Sequence, residues 1–135
     1  MAMRIWAVVQ HRDGKLHRGS LETIAAAQQL AEGLGGVAEA VLLGSAVEAL
    51  AGALATSQLD AVRVADQSLL AAYTPGGYVA ALAAAMAKER PDYVLLPHTY
   101  QSVEFGARLA QATGGLVEAF DAVLKRFDPR ELMNP

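Results

Sequence analysis

The chain contains no cysteine. Disulfides, thiolate catalysis and Cys-ligated zinc or iron–sulfur sites are thereby excluded. Aromatic residues make up only 6% of its 135 positions against a hydrophobic fraction of 53%, so the core must be built from Ala, Val and Leu. There is no run of Lys and Arg, and with acids and bases interspersed at a net charge of −3 the footprint of a nucleic-acid binder is missing. No apolar stretch is long enough to span a bilayer, and no charged segment leads into an apolar one with a cleavage site. The expectation is a cytoplasmic protein with no nucleic-acid or membrane partner. Phosphate signatures are scarce too: neither a P-loop nor a glycine-rich dinucleotide fingerprint occurs, and no histidine pair has the spacing of a helical zinc site.

What is present is organised around Tyr93 to Leu96, an unbroken apolar run between Pro91 and Pro97. Without polar alternation it reads as a strand covered on both faces, as in the middle of a parallel sheet. Each proline bounds it: the first pushes its predecessor out of the helical region, and the second cannot donate to a ladder. His98-Thr99-Tyr100-Gln101-Ser102 is then a polar loop at the carboxyl end of a buried strand. In open α/β sheets ligands bind there, where strand order reverses.

The remaining segments alternate. Arg4 to Val9 reads as a first strand, followed by the turn dipeptide Asp13-Gly14. Ser20 is the expected N-cap of a first helix, with Glu22 in its first turn and a stop at Gly35-Gly36. Val37 to Leu43 is a second strand, and Ser45 with Glu48 reads as a capping box opening a second helix. Ala61 to Ala65 is a third strand, and Thr74-Pro75 caps a third helix. The fourth helix carries Phe105, Leu109 and Ala112 and closes at Gly114-Gly115, with Leu116-Val117 as a short further strand. The order predicts a three-layer, Rossmann-like α/β fold: a parallel sheet with helices on both faces. A chain of this length has one domain, expected over 1–127, with 128–135 an irregular tail.

Several positions invite two readings. Gly44-Ser45 at a strand-to-helix junction can present N–H groups to a phosphate, or simply cap the helix. His11 and His98 follow the first and fourth strands; if those strands are neighbours their loops meet, and the pair can do acid–base chemistry or be ordinary surface polar groups. No nucleophile or orienting carboxylate accompanies them, so catalysis through His98, as a hydrolase or transferase, ranks last. Gly76-Gly77 either admits a close approach by another chain or ligand, or is a loose helix start.

Four segments carry a resemblance: His11 to Leu16, Val41 to Ser45, Ala72 to Pro75 and Arg90 to Pro97. With Arg108-Leu109-Ala110 and Gly115-Leu116-Val117 extending it, the chain resembles the N-terminal domain of the electron-transfer flavoprotein alpha subunit. The resemblance implies an adenine-nucleotide-hydrolase-like fold that serves as a scaffold against a beta subunit. FAD in that family's full complex is held mainly by a separate domain, so no cofactor is expected in this chain alone. Two loops depart from the family, at Thr99 to Glu104 and at Gly115 to Ala119, and no family flavin residue is carried over.

The leading expectation is a scaffold and interaction domain associated with electron transfer, not an enzyme. Its partner would be a beta-type subunit or a second copy, with Gly76-Gly77 and the apolar segment from Leu116 to Phe127 as contacts. The alternative is a stand-alone AMP- or ATP-binding module, since the related beta subunits bind AMP in the equivalent fold. Its crevice would use Gln10, His98, Thr99 and Ser102.

Overall fold

A computed structural model describes residues 3–113. The elements are β1 (Arg4–Val9), β2 (His11–Arg12), β3 (Lys15–Leu16), α1 (Arg18–Leu34), β4 (Val37–Gly44), α2 (Glu48–Leu54) and β5 (Ala61–Asp66). A 3-10 turn (Ser68–Leu70), α3 (Pro75–Glu89), β6 (Tyr93–Leu95) and α4 (Tyr100–Thr113) complete them. The four long-range strands form one parallel sheet in the order β5-β4-β1-β6, and β2 and β3 make a separate hairpin. The proposed further strand at Leu116-Val117, the Gly114-Gly115 stop, the contact segment to Phe127 and the tail from 128 lie outside the described residues.

Alternation along each strand divides the core into two layers, because successive side chains point to opposite faces. Ile5, Ala7 and Val9 of β1, with Ala38, Ala40 and Leu42 of β4, pack against Ile24, Ala27 and Leu30 of α1 and Leu50 and Leu54 of α2. Trp6, Val8, Val41 and Leu43 face the other way, onto Tyr78, Leu82 and Met86 of α3 and Phe105 and Leu109 of α4. The result is the three-layer, Rossmann-like α/β architecture read from the sequence. Among the described strands, β1 is flanked on both sides by β4 and β6, whereas the Tyr93 segment pairs with β1 alone.

Two helix starts differ from expectation. α1 begins at Arg18, with His17 as N-cap, its Nδ1 accepting from Gly19 N at 3.0 Å. Ser20 lies inside the helix and fully buried, where its hydroxyl accepts from Gln10 N at 2.8 Å and donates to Gln10 O at 3.0 Å. The hydroxyl that would cap the helix is thus engaged by the end of β1. Glu22 falls outside the first turn, which holds no acid. α2 has Val47 as N-cap with no side-chain cap bond, so the Ser45–Glu48 capping box does not form.

Other local predictions hold. Gly35 ends α1 at φ +66, and Thr74 caps α3 with Pro75 just inside. Asp13 and Gly14 take φ of +52 and +75, the mirror-image turn that matches strand twist. The glycine pair at α3 also has an account within the chain. Gly77 donates to Thr74 Oγ1 at 3.1 Å, and a Cβ there would sit 2.7 Å from that oxygen, while Gly76 faces open space.

Candidate functional site at the reversal of strand order

From β1 the chain moves outward through β4 to β5, then α3 carries it back to β6 on the other side of β1. Strand order therefore reverses between β1 and β6, and a crevice opens outside their carboxyl ends. Gln10 follows β1, and Thr99 and Ser102 lie at the β6–α4 junction. The turn that starts α1 closes in from the side, since a Cβ on Gly19 would lie 3.5 Å from the Pro97 side chain.

Three of the four residues expected here come together. Thr99 Oγ1 donates to Gln10 Oε1 at 2.7 Å and accepts from Ser102 N at 3.1 Å. Its one proton being committed to Gln10, the 3.1 Å contact with Ser102 Oγ must be a bond donated by Ser102. Gln10 is itself held on both sides of its backbone by buried Ser20. The cluster ties β1, α1 and α4 into one rigid corner. His98 is exposed beside it and makes no hydrogen bond among the described residues.

His11 is elsewhere. Its Nε2 donates to the Leu43 carbonyl at 2.6 Å, on the β4 side of β1, over Gly44. A Cβ on Gly44 would be 2.8 Å from that nitrogen, so the glycine is what lets the ring lie there. The two strands are neighbours as required, but β1 separates His11 from His98, and no histidine pair forms.

The Gly44-Ser45 loop is also taken up internally. Asp66, at the end of β5, accepts from Ala46 N at 2.9 Å and from Val47 N at 3.3 Å. Ala46 has φ +55, a conformation an L-residue adopts only when its surroundings fix it. The chain's own carboxylate occupies the place where a phosphate would be cradled. Sequence reasoning missed Asp66 because nothing local links it to a loop twenty residues earlier; only the parallel pairing of Gly44 with Asp66 brings them together.

A charged cluster on the α3 side escaped the sequence reading as well. Glu39, buried on β4, accepts from Trp6 Nε1 at 3.0 Å and from Arg63 Nε at 2.9 Å, with Arg4 Nε at 3.4 Å. Glu89 bridges the same two arginines from the end of α3. Burial alone would raise the Glu39 carboxyl. The hydrogen bonds from Arg63 and Trp6, with the two guanidinium charges, outweigh burial and hold it below its ordinary value. Every charge here is paired, as a structural clamp requires. Its signal in the sequence was a lone Glu in an otherwise apolar strand.

Elsewhere an open polar cleft of about 460 Å³ lies at the amino ends of β4 and β5, lined by Gln28, Glu32, Gln58 and Asp60 among others. It is at the opposite end of the sheet from the crevice, and Asp60 there is engaged with the backbone of Ala38. Among the described residues no group of His, Asp and Glu could hold a metal ion, and no helix is long and apolar enough to cross a membrane.

Comparison with known proteins identifies the family. The electron transfer flavoprotein domain family matches residues 5–116. An electron transfer flavoprotein subunit alpha from Syntrophomonas wolfei is 35% identical over 106 residues, covering 78% of this chain and 32% of that protein. The Bacillus subtilis subunit alpha is 31% identical over 123 residues, covering 90% and 37%. An acryloyl-CoA reductase electron transfer subunit beta from Anaerotignum propionicum is 32% identical over 106 residues, covering 78% and 29%. The chain thus spans about a third of the length of the curated relatives it matches. With its sheet, its hairpin and its corner in the matched region, the chain belongs to the electron transfer flavoprotein domain family, in the form found in alpha subunits.

Proposed function

We propose that this chain is a scaffold and interaction domain for electron transfer, that it pairs with a beta-type subunit, and that it holds no FAD by itself. The observation that carries the reading is the closure of both anion-facing loops by the chain's own side chains. Thr99 is satisfied by Gln10 and Ser102, and the Ala46 and Val47 N–H groups by Asp66. Such loops set the shape of a domain rather than receive a phosphate. Apolar groups meanwhile face solvent: Tyr100 and Val103, one turn apart on α4, are 98% and 62% exposed, and Leu69 is 83% exposed. Partner contact is the usual use of such residues when they cluster. Self-association into a two-fold dimer is the default in the absence of a beta-type subunit.

Co-expression with an electron transfer flavoprotein beta subunit tests this. The expected result is co-purification of the two chains, with this chain colourless when purified alone. A stoichiometric flavin band that stays with the single chain through gel filtration would overturn the cofactor part, and a monomer indifferent to the beta subunit would overturn the partner part.

One observation favours the second reading, an AMP- or ATP-binding module. Gln10, Thr99 and Ser102 converge at the switch point, with the His98 imidazole exposed at its rim. A nucleotide at a hundred times its dissociation constant adds about 2.7 kcal/mol of stability, which a thermal melt detects easily. A saturable upshift with AMP that disappears in Thr99→Ala would establish this reading over the first.

A further inference from the structure

The hairpin and the start of α1 hold an arrangement of charge that the fold does not need. Arg12 and Lys15 are direct cross-strand partners in the β2–β3 ribbon. Like charges facing each other across a ribbon destabilise it. Arg18 is the first residue of α1, at the positive end of the helix dipole, where a cation is unfavourable. All three are exposed, as is His17 between them. The four ion pairs among the described residues involve only Arg4, Arg63, Glu39 and Glu89, so none of these three cations has a carboxylate partner there. Residues 10–22 hold three cations against the carboxylates of Asp13 and Glu22, a net of +1, in a chain whose net charge is −3.

The ribbon is also well fixed. Its turn is set by the positive φ of Asp13 and Gly14, His11 anchors one strand to Leu43, and His17 N donates to Gln10 O at 2.7 Å. A rigid, exposed group of cations with two local electrostatic costs gains stability when carboxylates are brought to it.

We propose that the Arg12–Lys15 hairpin face, with Arg18, is a docking surface for an acidic segment of a partner protein. The inference deepens the interaction-domain reading by giving one partner surface its chemistry. Discrete carboxylates suit this face better than a nucleic acid does. The rest of the chain is acidic and repels a long polyanion, and no Phe, Tyr or Trp stands among residues 10–19 to stack a base.

The test uses the full chain and an oligoglutamate peptide as probe, followed by heteronuclear NMR and by binding titrations at low and high salt. The expected result is salt-sensitive binding, with shifts concentrated at Arg12 to Arg18. Lys15→Glu should weaken binding roughly five- to tenfold, because one attraction is lost and one repulsion added. It should melt no lower than the parent, since it replaces a like pair by an opposite one. Lys88→Glu, an equal charge change on the exposed side of α3, should leave the affinity unchanged. Equal losses in the two variants, no salt-sensitive binding, or binding of single-stranded DNA or phosphatidylserine vesicles in place of the peptide would overturn the proposal. Co-purification with a beta subunit is read separately, so either idea can fail alone.

Discussion

Asp66 and Ala46 are joined by a 2.9 Å hydrogen bond from the Ala46 backbone to the Asp66 carboxylate, and this bond holds a non-glycine residue at φ +55. The bond closes the loop between β4 and α2 from the end of the neighbouring strand. The same carboxylate also accepts from Val47 N at 3.3 Å, so its removal leaves two backbone donors without their partner.

Asp66→Ala is therefore expected to cost about 1–2 kcal/mol, as for losing hydrogen bonds to a charged acceptor. Urea denaturation measures it. Asp66→Asn, which keeps one acceptor oxygen for Ala46, should recover part of the loss. A wild-type midpoint for Asp66→Ala would show that the loop is held by something else.

Glu39 makes stability depend on acid. Its folded-state carboxyl is held below the ordinary value of 4.5, so its contribution is fully present above that value. Stability should fall as pH drops below about 4.5 towards the depressed value. Glu39→Gln removes the charge between two arginines and is expected to cost about 2 kcal/mol at neutral pH. The variant should also show a flatter stability profile below 4.5. An unchanged acid limb in the variant would assign acid sensitivity to other carboxylates.

At the alkaline end Tyr73 takes over. Burial, and then its 2.7 Å hydrogen bond to the Glu104 carboxylate beside it, push the phenol up to about 12. A group whose folded value is raised contributes below its unfolded value, here 10.0, and loses that contribution as pH climbs towards 12. Tyr73→Phe should melt lower than the parent at neutral pH, with the gap closing as pH rises from 10.0 towards about 12. Phenolate absorbance should show two late-titrating tyrosines in the parent, Tyr73 and Tyr78, whose burial also raises it, and only Tyr78 in the variant.

Two glycine substitutions should move in opposite directions. Gly44→Ala places a Cβ 2.8 Å from His11 Nε2 and 2.7 Å from Val47, both of which must shift, at a cost of about 1–3 kcal/mol. Gly33 lies within α1 with nothing near its missing Cβ, and Gly33→Ala should stabilise by about 0.5–1 kcal/mol. Equal effects from the two would remove the steric explanation.

Much of the candidate site was legible from local chemistry. Pro97 marked the end of β6, the loop after it was polar, and Gln10, Thr99 and Ser102 meet there as an α/β switch point requires. His98 lies in the same loop but is exposed and makes no hydrogen bond to the other three, which position along a chain does not reveal. His11 shows the same limit: it follows the right strand and points to Leu43, across β1 from the crevice.

By itself the sequence determined the alternation of strands and helices, the stop at Gly35, the Asp13-Gly14 turn and the Thr74-Pro75 cap. Each depends on interactions within a few residues, where backbone propensity and nearest hydrogen bonds decide. Tertiary structure alone decided that Ser20 holds the residue after β1 rather than capping α1, and that Asp66 rather than Ser45 closes the loop before α2. It also decided that Glu39 lies among Trp6, Arg63 and Arg4. A short polar side chain bonds whichever backbone or charged group the packed sheet brings within 3 Å or so. Strand order sets that neighbour, and strand order is a property of the whole fold.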